Sequence, residues 1–145
     1  MFTVGVRAVG AENIAILGNH FSHSRRGVRG FGSSVIPERW VKNISVRHNS
    51  FEKMEAFAIT FYKMTRDSEF SHNDISETGT QIYLGLGRGI AIQANGADNK
   101  ISRNRSRRSG FFAINPGGDG TRVAENDLYE PCIHYSDCGG IYGGT

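Results

Sequence analysis

Long apolar runs are missing from this chain: no segment approaches the roughly 18 consecutive apolar residues that a membrane-spanning helix needs. Proline is scarce, with only Pro37, Pro116 and Pro131, each in a setting that suits a loop. Cysteine is scarcer. Cys132 and Cys138 have five residues between them, room for a small surface disulfide or two free thiols, but not a disulfide scaffold or a four-ligand zinc centre. Helical periodicity is poor throughout, which excludes a bundle. The 19 glycines follow no triplet period, which excludes collagen. The opening Met1-Phe2-Thr3-Val4-Gly5 lacks the basic and apolar regions of a secretory signal.

What the chain does contain is one short phrase, repeated five times: apolar, two variable residues, Asn, one variable residue, apolar. It occurs at Ile16…Asn19…Phe21, Val46…Asn49…Phe51, Phe70…Asn73…Ile75, Ile101…Asn104…Ser106 and Val123…Asn126…Leu128. Only Ser106 breaks it. The asparagines are 30, 24, 31 and 22 residues apart, the length of a solenoid coil with variable loops. Short strand-like phrases surround them, including Asn13-Ile14-Ala15-Ile16, Gly27-Val28-Arg29 and residues 56–61. Others are Gln81-Ile82-Tyr83-Leu84, residues 89–93, residues 110–114 and residues 132–135.

A coil this short cannot bury its own apolar side, and stacking coils about 4.8 Å apart solves that problem. Ile16, Val46, Phe70, Ile101 and Val123 then form one internal column, and Phe21, Phe51, Ile75 and Leu128 most of another. The asparagines suit the bend between them, because a short amide tolerates left-handed geometry and bonds local backbone. Stacked amides also bond one another as a ladder. The expected fold is an all-β, right-handed parallel β-helix solenoid of about five coils. Residues 1–145 form a single domain, either self-standing or part of a longer stack.

Residues 70–79 (Phe-Ser-His-Asn-Asp-Ile-Ser-Glu-Thr-Gly) and 137–142 (Asp-Cys-Gly-Gly-Ile-Tyr) carry a further likeness. With the repeat, they resemble the right-handed parallel β-helix family, the pectate-lyase-like group of carbohydrate-active proteins. The resemblance implies an extracellular protein that binds or processes an acidic polysaccharide as a lyase, hydrolase or epimerase. It implies no organic cofactor and allows calcium, for which Asp74, Glu77 and Asp127 are the candidate ligands.

The charge is uneven. Residues 1–108 hold 16 of the 17 basic and nine of the 14 acidic residues, and five of the nine residues 100–108 are basic. Such a patch attracts an anionic polymer. If the repeat apolars point inward, the residues beside each Asn face solvent, which gathers His48, His72, Asp74, Arg103, Arg105, Glu125 and Asp127 on neighbouring coils. In this reading His72, Asp74, Arg105 and Asp127 are the catalytic candidates. A histidine moves a proton near neutral pH; paired carboxylates serve a glycosidase; an arginine stabilises a uronate carbanion or abstracts its proton. His48, Arg103, Glu125, Arg88 and Trp40 are the substrate-binding candidates, the last two on inserts near residues 30–42 and 85–97 expected to wall one side of a cleft. The opposing reading is a solvated ionic ladder on a non-catalytic structural or adhesion module that assembles as a homo-oligomer through coil ends or lateral faces. Gly85-Leu86-Gly87-Arg88-Gly89 lacks the spacing of a nucleotide loop and reads as glycine turns. Nucleic acid and membrane are not expected partners.

Overall fold

The computed structural model describes residues 4–31, 40–81, 89–136 and 138–143. Within them the chain winds through fifteen short strands: β1 (Val4–Val9), β2 (Glu12–Leu17), β3 (His20–Ser22), β4 (Arg26–Phe31), β5 (Val41–Arg47), β6 (Ser50–Met54), β7 (Phe57–Arg66), β8 (Glu69–Ser71), β9 (Asp74–Thr78), β10 (Ile92–Ala97), β11 (Lys100–Ser102), β12 (Arg105–Ser109), β13 (Ile114–Gly117), β14 (Arg122–Ala124) and β15 (Asp127–Tyr129). Every registered strand pair is parallel, and each strand pairs with one a coil away. This is a parallel β-helix with three faces. The first stacks β1, β4, β7, β10 and β13; the second β2, β5, β8, β11 and β14; the third β3, β6, β9, β12 and β15.

Both expected columns are present. Ile16, Val46, Phe70, Ile101 and Val123 are successive register partners on the second face. Phe21, Phe51, Ile75, Ser106 and Leu128 are partners on the third. Phe51, Phe70, Ile75 and Ile101 are fully buried, and Phe21, Val123 and Leu128 are partly buried at the outer coils. Ser106 is tolerated in an apolar column because its hydroxyl bonds the Ser109 hydroxyl at 3.0 Å, which leaves neither of the two unpartnered.

The amide ladder forms as expected, and it is directional. The backbone N–H and Nδ2 of Asn49 both donate to Asn73 Oδ1 at 3.1 Å. Asn19, Asn73 and Asn104 repeat this toward Asn49, Asn104 and Asn126. Each interior Nδ2 also caps a carbonyl one coil back, as Asn73 does for Val46 at 2.9 Å. The left-handed residue differs from the expectation. The positive φ falls on the residue before each Asn, from 55 to 66° at Gly18, His48, His72, Arg103 and Glu125. The reason is that the Asn side chain must point inward to join the ladder, so its neighbour makes the turn.

Two further left-handed columns flank this one, five residues away on either side. Asn13, Asn43, Asp67, Asp98 and Gly120 turn the chain onto the second face, and His23, Lys53, Glu77, Arg108 and Glu130 turn it off the third. The coil is thus a triangle with three matching bends. Residues 110–113 are not strand, and β13 begins only at Ile114. Phe112 turns instead into a satellite cluster with Ala56, Phe57 and Ile90. Residues 132–135 are also not strand: a Cys132–Cys138 disulfide closes that segment, which bonds back to Ser109, Gly110 and Phe111.

Candidate functional site

The second bend carries the residues singled out from the repeat. His48 and His72 lie at left-handed positions on adjacent coils, exposed, with their rings stacked 4.8 Å apart. Arg103 and Glu125 continue that column and form an ion pair. The hydrogen bond and positive charge of Arg103 hold the Glu125 carboxyl below its usual range, and Glu125 in turn raises the Arg103 guanidinium. Asp74, Arg105 and Asp127 are register partners at the start of the third face, as expected.

Within this group the charges answer one another. Arg105 Nε bonds Asp127 Oδ2 at 3.2 Å, and Arg107 Nη2 bonds both Asp74 oxygens at 3.2 and 3.3 Å. Arg108 Nη1 bonds Glu130 at 3.2 Å and its Nε lies 3.9 Å from Glu77. Lys100 Nζ is 3.7 Å from Glu69. All five cations of the coil formed by β11 and β12 are therefore engaged by acids of the coils on either side. The basic run at residues 100–108 is the middle of a neutralised ionic belt around an exposed edge, a different arrangement from the free cationic patch its sequence suggests. The three candidate calcium ligands, Asp74, Glu77 and Asp127, each face an arginine. Among the described residues no group of three or more His, Cys, Asp or Glu is arranged to hold a metal ion.

The remaining candidates lie elsewhere. Trp40 is half-buried at the entry to β5, with the Arg66 guanidinium 4.6 Å above its ring. Arg88, Tyr83 and most of the glycine-rich phrase lie outside the described residues, as does the core of the first insert, residues 32–39. The described residues show only the flanks of the inserts: the first follows β4 and precedes β5, and the second follows β9 and precedes β10. Part of the second insert is strand β10, paired to β7 and β13.

Among the described residues, a concave surface lies at the third bend. One hollow of about 300 Å³ is lined by His23, Lys53, Glu55, Glu77, Thr80 and Gln81. Another of about 230 Å³ is lined by Glu77, Thr78, Thr80, Arg108, Ile133 and His134. They meet at Glu77 and Thr80, giving one groove parallel to the stack from the first coil to the fifth. Four coil steps make it about 19 Å long. Among the described residues Glu55 makes no ion pair, whereas Lys53 Nζ lies 3.5 Å from Glu52. The repeat phrase does not reach this groove. The available signal was the second interval in each coil: five residues beyond His48, His72 and Arg103 stand Lys53, Glu77 and Arg108.

A family model described as a right handed beta helix region matches residues 1–143. No curated protein and no solved structure matches the chain.

Proposed function

We propose that this chain, which belongs to the right-handed beta-helix family, binds an acidic polysaccharide lengthwise along the groove at the third bend. The observation that carries this reading is the pair of hollows meeting at Glu77, with Lys53 on the coil before and Arg108 on the coil after. Lys53 supplies a charge-assisted bond to uronate or sulfate groups, and Arg108, though held between Glu77 and Glu130, adds its remaining guanidinium donors. Thr80, Gln81 and Glu55 supply hydrogen bonds to hydroxyls. The first coils, which supply His23 and Lys53 to the groove, are basic: residues 1–66 hold ten basic and four acidic residues, a field that steers an anionic chain. The Cys132–Cys138 disulfide fits an oxidising, extracellular setting.

In this reading the edge carrying His72, Asp74, Arg105 and Asp127 holds neighbouring coils in register, and the protein is a binding module rather than a lyase, hydrolase or epimerase. The test is calorimetric titration with alginate, pectate and sulfated glycans, each with and without calcium, with product mass and unsaturated uronates followed in parallel. Binding that weakens about tenfold in Lys53→Ala or Arg108→Ala, and falls with salt, is the expected result. Equal affinity for neutral glycans, or turnover lost in Asp74→Ala, would overturn it.

A further inference from the structure

The left-handed column at the third bend reads His23, Lys53, Glu77, Arg108 and Glu130, with φ between 47 and 59° at every level. The neighbours on either side fix its register. Glu52, Ser76 and Arg107 are partners on successive coils, and so are Met54, Thr78 and Ser109. Matching backbone at matching register sets these side chains off one above another, at the coil spacing of about 4.8 Å. The three central members therefore alternate in sign from coil to coil: cation, carboxylate, cation. Lys53 and Arg108 start about 10 Å apart, two coil steps, with Glu77 midway.

Glu77 and Thr80 line both hollows, so a ligand that fills the groove passes over the Glu77 carboxylate. Arg108 does not cancel that charge. Its Nε lies 3.9 Å from Glu77, and its closer contact, 3.2 Å from Nη1, goes to Glu130. Glu77 keeps 40% of its side chain exposed. Among the residues lining the groove, Lys53 and Arg108 are matched by two carboxylates, Glu55 and Glu77. A groove balanced in this way selects by where its charges stand rather than by their sum.

A carboxylate accepts hydrogen bonds from hydroxyl and amide N–H groups and repels another carboxylate. An extended glycan advances by nearly one coil spacing per sugar, so sugars and coils keep step along a groove parallel to the stack. A polymer with an acid on every sugar sets one acid against Glu77 whenever two others reach Lys53 and Arg108. A polymer with an acid on every second sugar reaches both cations and offers Glu77 and Thr80 an uncharged sugar between them.

Building on the proposed glycan groove, we infer that its ligand alternates acidic and uncharged sugars, and that Glu77 is the specificity residue that rejects homopolymers of uronate. The attractive elements are Lys53 and Arg108, and the repulsive element that turns attraction into selectivity is the carboxylate between them.

The experiment titrates the full chain by calorimetry, at neutral pH and low salt, with tetrasaccharides of two kinds. One alternates glucuronate with N-acetylglucosamine; the others are tetraglucuronate and tetragalacturonate. The alternating ligand is expected to bind about tenfold more tightly, although it carries half the charge. Glu77→Gln, checked for folding by circular dichroism, should raise the homopolymer affinities about tenfold and leave the alternating ligand nearly unchanged, closing the gap. Salt should narrow the gap in the native chain, since screening weakens the repulsion. Homopolymers that bind the native chain as tightly as the alternating ligand overturn the inference and leave the groove reading standing. A gap that survives Glu77→Gln, with all affinities rising alike, also overturns it, because Glu77 then acts only through the overall field. Binding of none of the three, or binding indifferent to both Lys53→Ala and Arg108→Ala, overturns the groove reading and this inference with it.

Discussion

The second and third bends are the same turn built over different interiors. Each places a left-handed residue on every coil, five residues apart along the chain, with φ between 47 and 66°. Beneath the second bend lie five asparagines whose amides bond from coil to coil. Beneath the third lie Ser24, Met54, Thr78, Ser109 and Pro131, whose three hydroxyls bond Arg26 O, Gly89 O and Ser106 and form no ladder. The second bend is clamped from inside and covered outside by paired charges. The third has no such ladder: Thr78 Oγ1 bonds Gly89 O at 2.8 Å and Arg108 pairs outside with Glu77 and Glu130, and it is there that the surface opens into a groove. Left-handed turns at non-glycine residues cost of order 1 kcal/mol or more each. The ladder offsets that cost at one bend, and the other is left free to vary in sequence.

The sharpest way to break this contrast is to remove one rung. Asn73→Ala takes away the donor to Val46 O and the acceptor of the Asn49 N–H, both buried. Stranding these groups is expected to cost about 3 kcal/mol, read as a lower urea midpoint. Thr78→Val at the third bend loses one hydroxyl bond and should cost about 1 kcal/mol. Equal losses would mean that the ladder does not distinguish the two bends.

A smaller effect tests the outside of the same bends. Arg105→Ala breaks one exposed pair and should shift stability by less than about 1 kcal/mol, leaving glycan affinity where it was. Arg108→Ala touches stability as little, yet should lower glycan affinity about tenfold, since a charge-assisted bond is lost. If the two variants lose affinity alike, the belt and the groove act as one binding surface, and the comparison dissolves.

Both apolar columns and the ladder were legible in the sequence because each coil must put the same residue type at the same inward position. Val46, Phe70 and Ile101 can satisfy a column only by being apolar, and Asn49, Asn73 and Asn104 can satisfy a ladder only by being amides. The third bend was not legible, since backbone hydrogen bonding imposes its geometry whatever the side chain, and His23, Lys53, Glu77 and Arg108 share no type. The same limit applies to the candidate site. Alternation put His48, His72, Asp74, Arg103, Arg105, Glu125 and Asp127 outside, which the structure bears out. That Arg107 reaches back to Asp74 while Arg105 reaches forward to Asp127 depends on side-chain directions that spacing does not encode.

The smallest expected effect concerns the Arg103–Glu125 pair, at the exposed end of the second bend. Arg103 lowers the folded-state pKa of Glu125 relative to the unfolded chain. A depressed carboxyl contributes stability that is present above the unfolded value and is lost as pH falls through the folded one. The contribution of this pair therefore disappears on acidification. Both side chains are open to solvent, so salt screens the interaction at every pH. Urea midpoints of the native chain and of Glu125→Gln, compared from neutral to strongly acidic pH at low salt, should differ slightly at neutrality and converge in acid. Raising the salt should bring them together at neutrality as well. A difference that persists in acid or grows with salt would mean that Glu125 acts through packing at its left-handed position, and that the belt stabilises the bend by shape rather than by charge.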